Sequence, residues 1–255
     1  MIFETHAHYD DEQFDLDRDQ LLGSMQKGGV GTIVNVGASL ASSRASVSLA
    51  ERYPFIYAAV GVHPDHAGEM DEDGLRELRS LCGGDKVVAV GEIGLDYYWD
   101  EAPRDVQKEW FVRQLELARE MSLPVIIHSR DAAADTLEIM QSHARGLMGV
   151  IHCFSYSKEL AREYVKMGFF IGVGGVVTFK NGRRLKEVVE DIPLSSIVLE
   201  TDCPYLAPVP NRGKRNSSLN LPYVVKEIAE IKGISCEEVM AQTEKNAKIL
   251  YGMRD

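Results

Sequence analysis

The sequence predicts an α/β protein built as a single (β/α)8 TIM barrel. Three observations carry this: eight short apolar runs along the chain, helix-like segments between them, and no linker or low-complexity tract. The runs are residues 2–4, 32–36, 56–60, 87–90, 125–127, 149–151, 169–173 and 197–199. They are apolar almost throughout and do not alternate, as in strands buried on both faces of a parallel sheet.

The segments between them carry helix ends. Asp71 precedes a helical pattern over 72–81 that Gly83 follows, and Ser157 precedes 158–167 with Gly168 behind it. After the last run, 221–232 and 236–251 read as two closing helices. An open doubly wound sheet usually stops at five or six strands, so eight units favour closure. The length of 255 residues suits one barrel, and residues 1–255 are read as one domain.

Composition bounds the rest. With 45% hydrophobic and 26% charged residues, a large core is available. No apolar run approaches the roughly 18 residues that span a bilayer, and the chain enters the acidic stretch 4–19 without a basic flank. Cys82, Cys153, Cys203 and Cys236 lie far apart, with no Cys-x-x-Cys pair. These features predict a cytoplasmic protein with no membrane and no obligate protein partner. The formal net charge of −11 opposes general attraction to a polyanion, unless part of the acidic excess holds metal cations.

In a barrel the reactive groups stand at the carboxyl ends of the strands. The sequence puts His6 and His8 at the end of the first run, His63 after the third, Glu92 after the fourth, His128 after the fifth, His152 after the sixth and Asp202 after the eighth. His6 and His8 have the period-two spacing that points both rings to one face. Taken alone, such a pair is more often two unrelated histidines. With Glu92, His128, His152 and Asp202 added, six donors exceed the four that one tetrahedral ion takes, and two divalent ions become the economical reading. The competing reading is a set of buried polar groups satisfied by hydrogen bonds. Mixed imidazole and carboxylate donors suit Zn²⁺, Mn²⁺ or a similar ion.

Five motifs then stand together: Thr5-His6-Ala7-His8, Gly61-Val62-His63-Pro64, Gly91-Glu92-Ile93-Gly94-Leu95-Asp96-Tyr97, His128-Ser129-Arg130-Asp131-Ala132 and Glu200-Thr201-Asp202-Cys203-Pro204. Over essentially the whole chain they resemble the TatD-type deoxyribonuclease family of metal-dependent hydrolases, which have an amidohydrolase-like barrel. The resemblance implies one metal site of His6, His8, Glu92 and Asp202, and a second that shares Glu92 and adds His128 and His152. It also implies hydrolysis of DNA supported by Mg²⁺ or a related divalent ion, typically exonucleolytic, on single strands or 3′ ends, with some members of the family acting on RNA. The chain departs from the family pattern at Ser217-Ser218, where Glu-Pro is common, and at Lys248, where Arg is frequent.

Roles follow from position. Asp202 is expected to accept the proton of the attacking water, and the alternative is a pure ligand. Glu92 is expected to join the ions. His63 is assigned to the phosphate oxygens or leaving group, or to supporting a ligand. Glu200 reads as a partner orienting a ligand or as half of an interior salt bridge. Gly172–Gly175 with Lys180 and Arg183 reads as a phosphate cradle or a tight turn, and the basic loop 212–216 as a DNA contact or a solvated loop. Tyr97, Tyr98 and Trp99, with Phe154 and Tyr156, are either stacking surfaces for unpaired bases or ordinary packing.

The rival enzyme reading is an amidohydrolase acting on a small ester, amide or phosphoester. Some of those enzymes bridge their metals with a modified lysine after the fourth strand, where this chain has Glu92 and no lysine beside it. A catalytically silent scaffold would lack a ligand, and none is lacking.

Overall fold

The computed structural model describes residues 1–253. Eight strands, β1 (Ile2–Ala7), β2 (Val30–Val36), β3 (Ile56–Val60), β4 (Val87–Asp96), β5 (Val125–Arg130), β6 (Gly149–Ile151), β7 (Phe169–Val173) and β8 (Ile197–Leu199), lie in one sheet in sequence order. The registers β1/β2, β3/β4, β4/β5, β5/β6 and β7/β8 are all parallel, and Ala7 also bridges Cys203 just past β8. Helices α1 (Arg18–Ser24) to α7 (Arg183–Asp191) connect successive strands, and α8 (Leu221–Lys232) and α9 (Cys236–Leu250) close the chain. Sequential parallel strands with intervening helices are the (β/α)8 barrel architecture the apolar runs predict.

Five strands match the sequence reading closely, but three run further. β1 continues through His6 to Ala7, β5 through His128 to Arg130, and β4 six residues past its expected end to Asp96. Every residue of β4 is buried, including its polar ones, so hydrophobicity alone ends the strand too early.

The chain forms two compact units, residues 1–35 with 153–255, and residues 36–152. In the first, α6 (Lys158–Lys166) packs on β7, α8 on α7 and α9, and α9 on β1 and β8. Val224, Ile228, Val239 and Leu250 fill the space between these helices and strands. Asn246 donates from its amide to the carbonyls of Leu194 (2.8 Å) and Ile197 (2.7 Å), fastening α9 to the start of β8. Just beyond α9, the Tyr251 hydroxyl donates to the carbonyl of Thr5 at 2.8 Å.

In the second unit, α2 (Leu40–Arg52) covers β3, α4 (Arg104–Met121) covers β4, and α5 (Ala133–His143) covers β5. Ser39 caps α2 by accepting from Ser42 N, and Asp71 caps α3 (Glu72–Cys82) by accepting from Asp73 N and Gly74 N. Buried Gln114 of α4 bonds both N–H and C=O of Val62 at 2.8 and 3.0 Å, which sets the backbone that leads into His63. Among the described residues no helix is long and apolar enough to cross a membrane.

Candidate metal centre

In the unit 36–152, β4 sets the geometry. Glu92 and Asp96 are four residues apart on one strand and therefore face the same side. β4 pairs with β5 so that Gly94 lies opposite His128 and Asp96 opposite Arg130. A Cβ on Gly94 would run into the His128 carbonyl, and its φ of 145° is open only to glycine. That close approach puts His128 between the two carboxylates, with Nδ1 2.8 Å from Glu92 Oε1 and Nε2 3.0 Å from Asp96 Oδ2. His152, directly after β6, brings Nε2 to 2.7 Å from the same Glu92 oxygen, and His63 after β3 brings Nε2 to 3.8 Å. His63, Glu92 and His128 each offer one ligand atom within 4.8 Å of the others, and His63, Asp65 and Asp96 form another such group.

Burial alone would raise Glu92, but the electrostatic pull of neighbouring His152 and His63 and the hydrogen bond from His128 hold its carboxyl well below the usual range. Burial opposes a proton on His128, yet its bonds to Asp96 and Glu92 lift it to about 9. His63 moves the other way, to about 3, through burial and the charge of His128. Its Nδ1 accepts the backbone N–H of Asp65 at 3.2 Å, so a neutral ring carries its proton on Nε2. Two carboxylates among three imidazoles thus demand positive charge, which is what lifts His128. A divalent cation fits the same demand with the imidazoles neutral.

The unit containing β1 and β8 holds a smaller set. His6 and His8 bring their Nε2 atoms to 3.0 Å, confirming the same-face expectation. Asp202 Oδ1 lies 3.7 Å from His6 Nε2 and 3.4 Å from His8 Nε2. Asp202 has φ of 58°, and its N–H donates to the His6 carbonyl at 3.0 Å while His8 N donates to Cys203 at 2.9 Å. Behind them Glu4 is fully buried. It accepts from His6 N (3.1 Å), Thr201 N (2.8 Å) and the Thr201 hydroxyl (2.6 Å), and burial pushes its carboxyl up to about 8 against the lowering effect of those bonds. Two imidazole nitrogens and a carboxylate oxygen converging in this way also suit a cation.

Comparison with known proteins now decides the family. The model of TatD-related DNases matches residues 3–252. The chain belongs to the TatD-related DNase family. An uncharacterized metal-dependent hydrolase of Bacillus subtilis, YabD, is 45% identical over 252 residues, 98% of this chain and 99% of the relative. A Cronobacter sakazakii protein named 3′-5′ ssDNA/RNA exonuclease TatD is 34% identical over 257 residues, covering 98% and 97%. The crystal structure of the TatD homologue YjjV of Escherichia coli superposes with a TM-score of 0.93 at 31% identity, covering 99% and 98% of the two chains.

Within this TatD-family chain the structure gathers His6, His8 and Asp202 in one unit, and His63, Glu92, His128 and His152 in the other. His66 pairs with exposed Glu69 and His143 sits at the end of α5, so the two remaining histidines lie in neither set. The sequence reading missed Asp96 and Asp65. Asp96 was legible in principle, because it repeats the face of Glu92 four residues on.

Several weaker readings resolve structurally. A Cβ at Gly172 would strike the Glu200 carboxylate and one at Gly175 the Leu206 carbonyl, so these glycines serve close packing, and Arg183 pairs with Glu187 at 2.7 Å. Glu200 accepts from Cys153 N at 2.5 Å. In the basic loop, Arg215 grips Asp17 through two bonds of 2.8 and 2.6 Å, and buried Asn216 donates to the carbonyls of Thr201 and Tyr205. Ser218, in the departure from the family pattern, is buried against Tyr9, hydroxyl to hydroxyl at 2.8 Å.

Proposed function

We propose that the chain is a divalent-metal-dependent phosphodiesterase that degrades DNA exonucleolytically, acting on single strands and 3′ ends. Two ions are assigned to His6, His8, Glu92 and Asp202, and to Glu92, His128 and His152, with Glu92 common to both. The convergence of His128, His152 and His63 on the one buried carboxylate of Glu92 carries this reading. Membership of a family with exonuclease-named relatives supports the substrate. Four free cysteines support a reducing, cytoplasmic setting.

The cations, drawn from Mg²⁺, Mn²⁺ and Zn²⁺, with the imidazole donors suiting Mn²⁺ and Zn²⁺ better than Mg²⁺, would supply Lewis acidity that activates water and offsets charge on the phosphoryl oxygens. Asp202 takes the proton of the attacking water, a role suited to a carboxylate that keeps 19% of its side chain exposed. His63 donates from Nε2 to a phosphate oxygen or the leaving group, its tautomer fixed by the Asp65 N–H. Asp96 holds the His128 ring in orientation from the far side.

The test is restoration. Metal-depleted protein is given end-labelled single-stranded DNA and then Mg²⁺, Mn²⁺ or Zn²⁺, alongside Glu92→Ala prepared identically. Shortening in the wild type alone is expected. Equal shortening by the variant would trace the activity to a contaminant and remove the reading.

A further inference from the structure

Beyond Asp96 the chain leaves two large aromatic side chains in solvent. Tyr98 is 55% exposed and Trp99 57%, whereas Tyr97 beside them is tied down by its hydroxyl bond to Asp135 at 2.6 Å. The Tyr98 and Trp99 rings stand nearly perpendicular, centroids 5.1 Å apart. Arg130, two residues beyond His128 on β5, lays its guanidinium 3.9 Å above the Tyr98 ring centroid and 5.7 Å from that of Trp99. Asp96 fixes the segment by accepting from Tyr98 N (2.8 Å) and Trp99 N (2.9 Å) on Oδ1, while its other oxygen holds His128. One carboxylate therefore sets the position of a candidate ligand and of the exposed aromatic pair.

Arg130 is unlike most arginines here. Arg44, Arg79, Arg104 and Arg162 each pair with a carboxylate, and among the described residues Arg130 has no such partner in a chain of 39 acidic and 28 basic residues. A guanidinium stacked on rings keeps its edge N–H groups free for a phosphate. Aromatic faces in water accept any base that is not already stacked in a duplex.

We propose that Tyr98, Trp99 and Arg130 form a nucleotide subsite in which an unpaired base stacks on the aromatic pair and Arg130 takes the adjoining phosphate. The subsite rests on the phosphodiesterase reading and deepens it. It selects single-stranded or frayed nucleic acid, because a paired base has no free face to offer.

The chain has two tryptophans, and Trp110 is buried at 7% exposure, so quenching of Trp99 fluorescence reports stacking directly. The probe is a nuclease-resistant phosphorothioate ten-mer of thymidylate on metal-loaded protein, with an abasic ten-mer of the same backbone as control. Base–aromatic stacking is worth about 1–3 kcal/mol per base. With binding read by the anisotropy of fluorescein-labelled oligomers, Trp99→Ala is therefore expected to weaken the thymidylate oligomer about tenfold and leave the abasic one unchanged, while Trp99→Phe restores most of the loss. Arg130→Gln is expected to lower the salt dependence of binding by roughly one phosphate contact, about 0.7 in slope. Equal affinity of wild type for the two oligomers, or unchanged thymidylate binding in Trp99→Ala, overturns the subsite. Wild-type hydrolysis of bis(p-nitrophenyl) phosphate, which has no base, reports on the phosphodiesterase reading by itself. Hydrolysis with unchanged binding removes the subsite alone, and stacking without hydrolysis removes the chemistry alone.

Discussion

Glu92 and Asp202 are both carboxylates among imidazoles, and they are held in opposite ways. Glu92 sits within β4 with 5% of its side chain exposed, and two imidazole nitrogens lie 2.7 and 2.8 Å from one oxygen. Asp202 sits on a left-handed turn past β8, 19% exposed, with His8 and His6 nitrogens at 3.4 and 3.7 Å. A strand buried on both faces fixes a side chain by packing, whereas a turn fixes the backbone and leaves the carboxylate looser. The proposed roles follow this difference: Glu92 would hold charge in place, and Asp202 would exchange a proton with water.

The contrast breaks most sharply at Glu92. Replacing it with glutamine keeps the volume but removes the charge that three imidazoles face. Hydrolysis is expected to fall on the order of 10³-fold or more, with metal content lowered in elemental analysis of the purified protein. Asp202→Asn is expected to lower kcat by about 10²- to 10⁴-fold with most of the bound metal retained, as for a lost general base. If both variants lose metal equally, the two carboxylates have the same job and the contrast fails. Asp96→Asn touches neither proposed ion, and acts by loosening the His128 ring. A 10- to 100-fold weakening of metal affinity by isothermal titration is expected, with little change in kcat at saturating metal. The smallest effect lies behind the other set: Thr201→Val removes a hydroxyl donor from buried Glu4 and should cost about 1–3 kcal/mol in urea denaturation.

The sequence carried the architecture and the gathering of imidazoles and carboxylates because both obey short periods. Apolar runs mark strands, and the period of two in His6-Ala7-His8 carries directly into the 3.0 Å approach of the two rings. Asp96 escaped because its role arises from register: only the pairing of Gly94 with His128 and Asp96 with Arg130 brings its oxygen to the imidazole. The glycines after β7 left two readings open for a different reason. A glycine that admits a phosphate and one that admits a neighbouring carbonyl look identical in sequence, and Gly175 is of the second kind. The loop 212–216 left a DNA contact and a solvated loop both open, because the partners of Arg215 and Asn216 at Asp17, Thr201 and Tyr205 lie far away along the chain or around a turn.

The hydroxyl of Tyr251 on the Thr5 carbonyl joins nearly opposite ends of the chain, one residue short of His6. Its partners stand 246 positions apart, so the backbone leading into that first histidine gains this anchor only in a chain folded across that whole span.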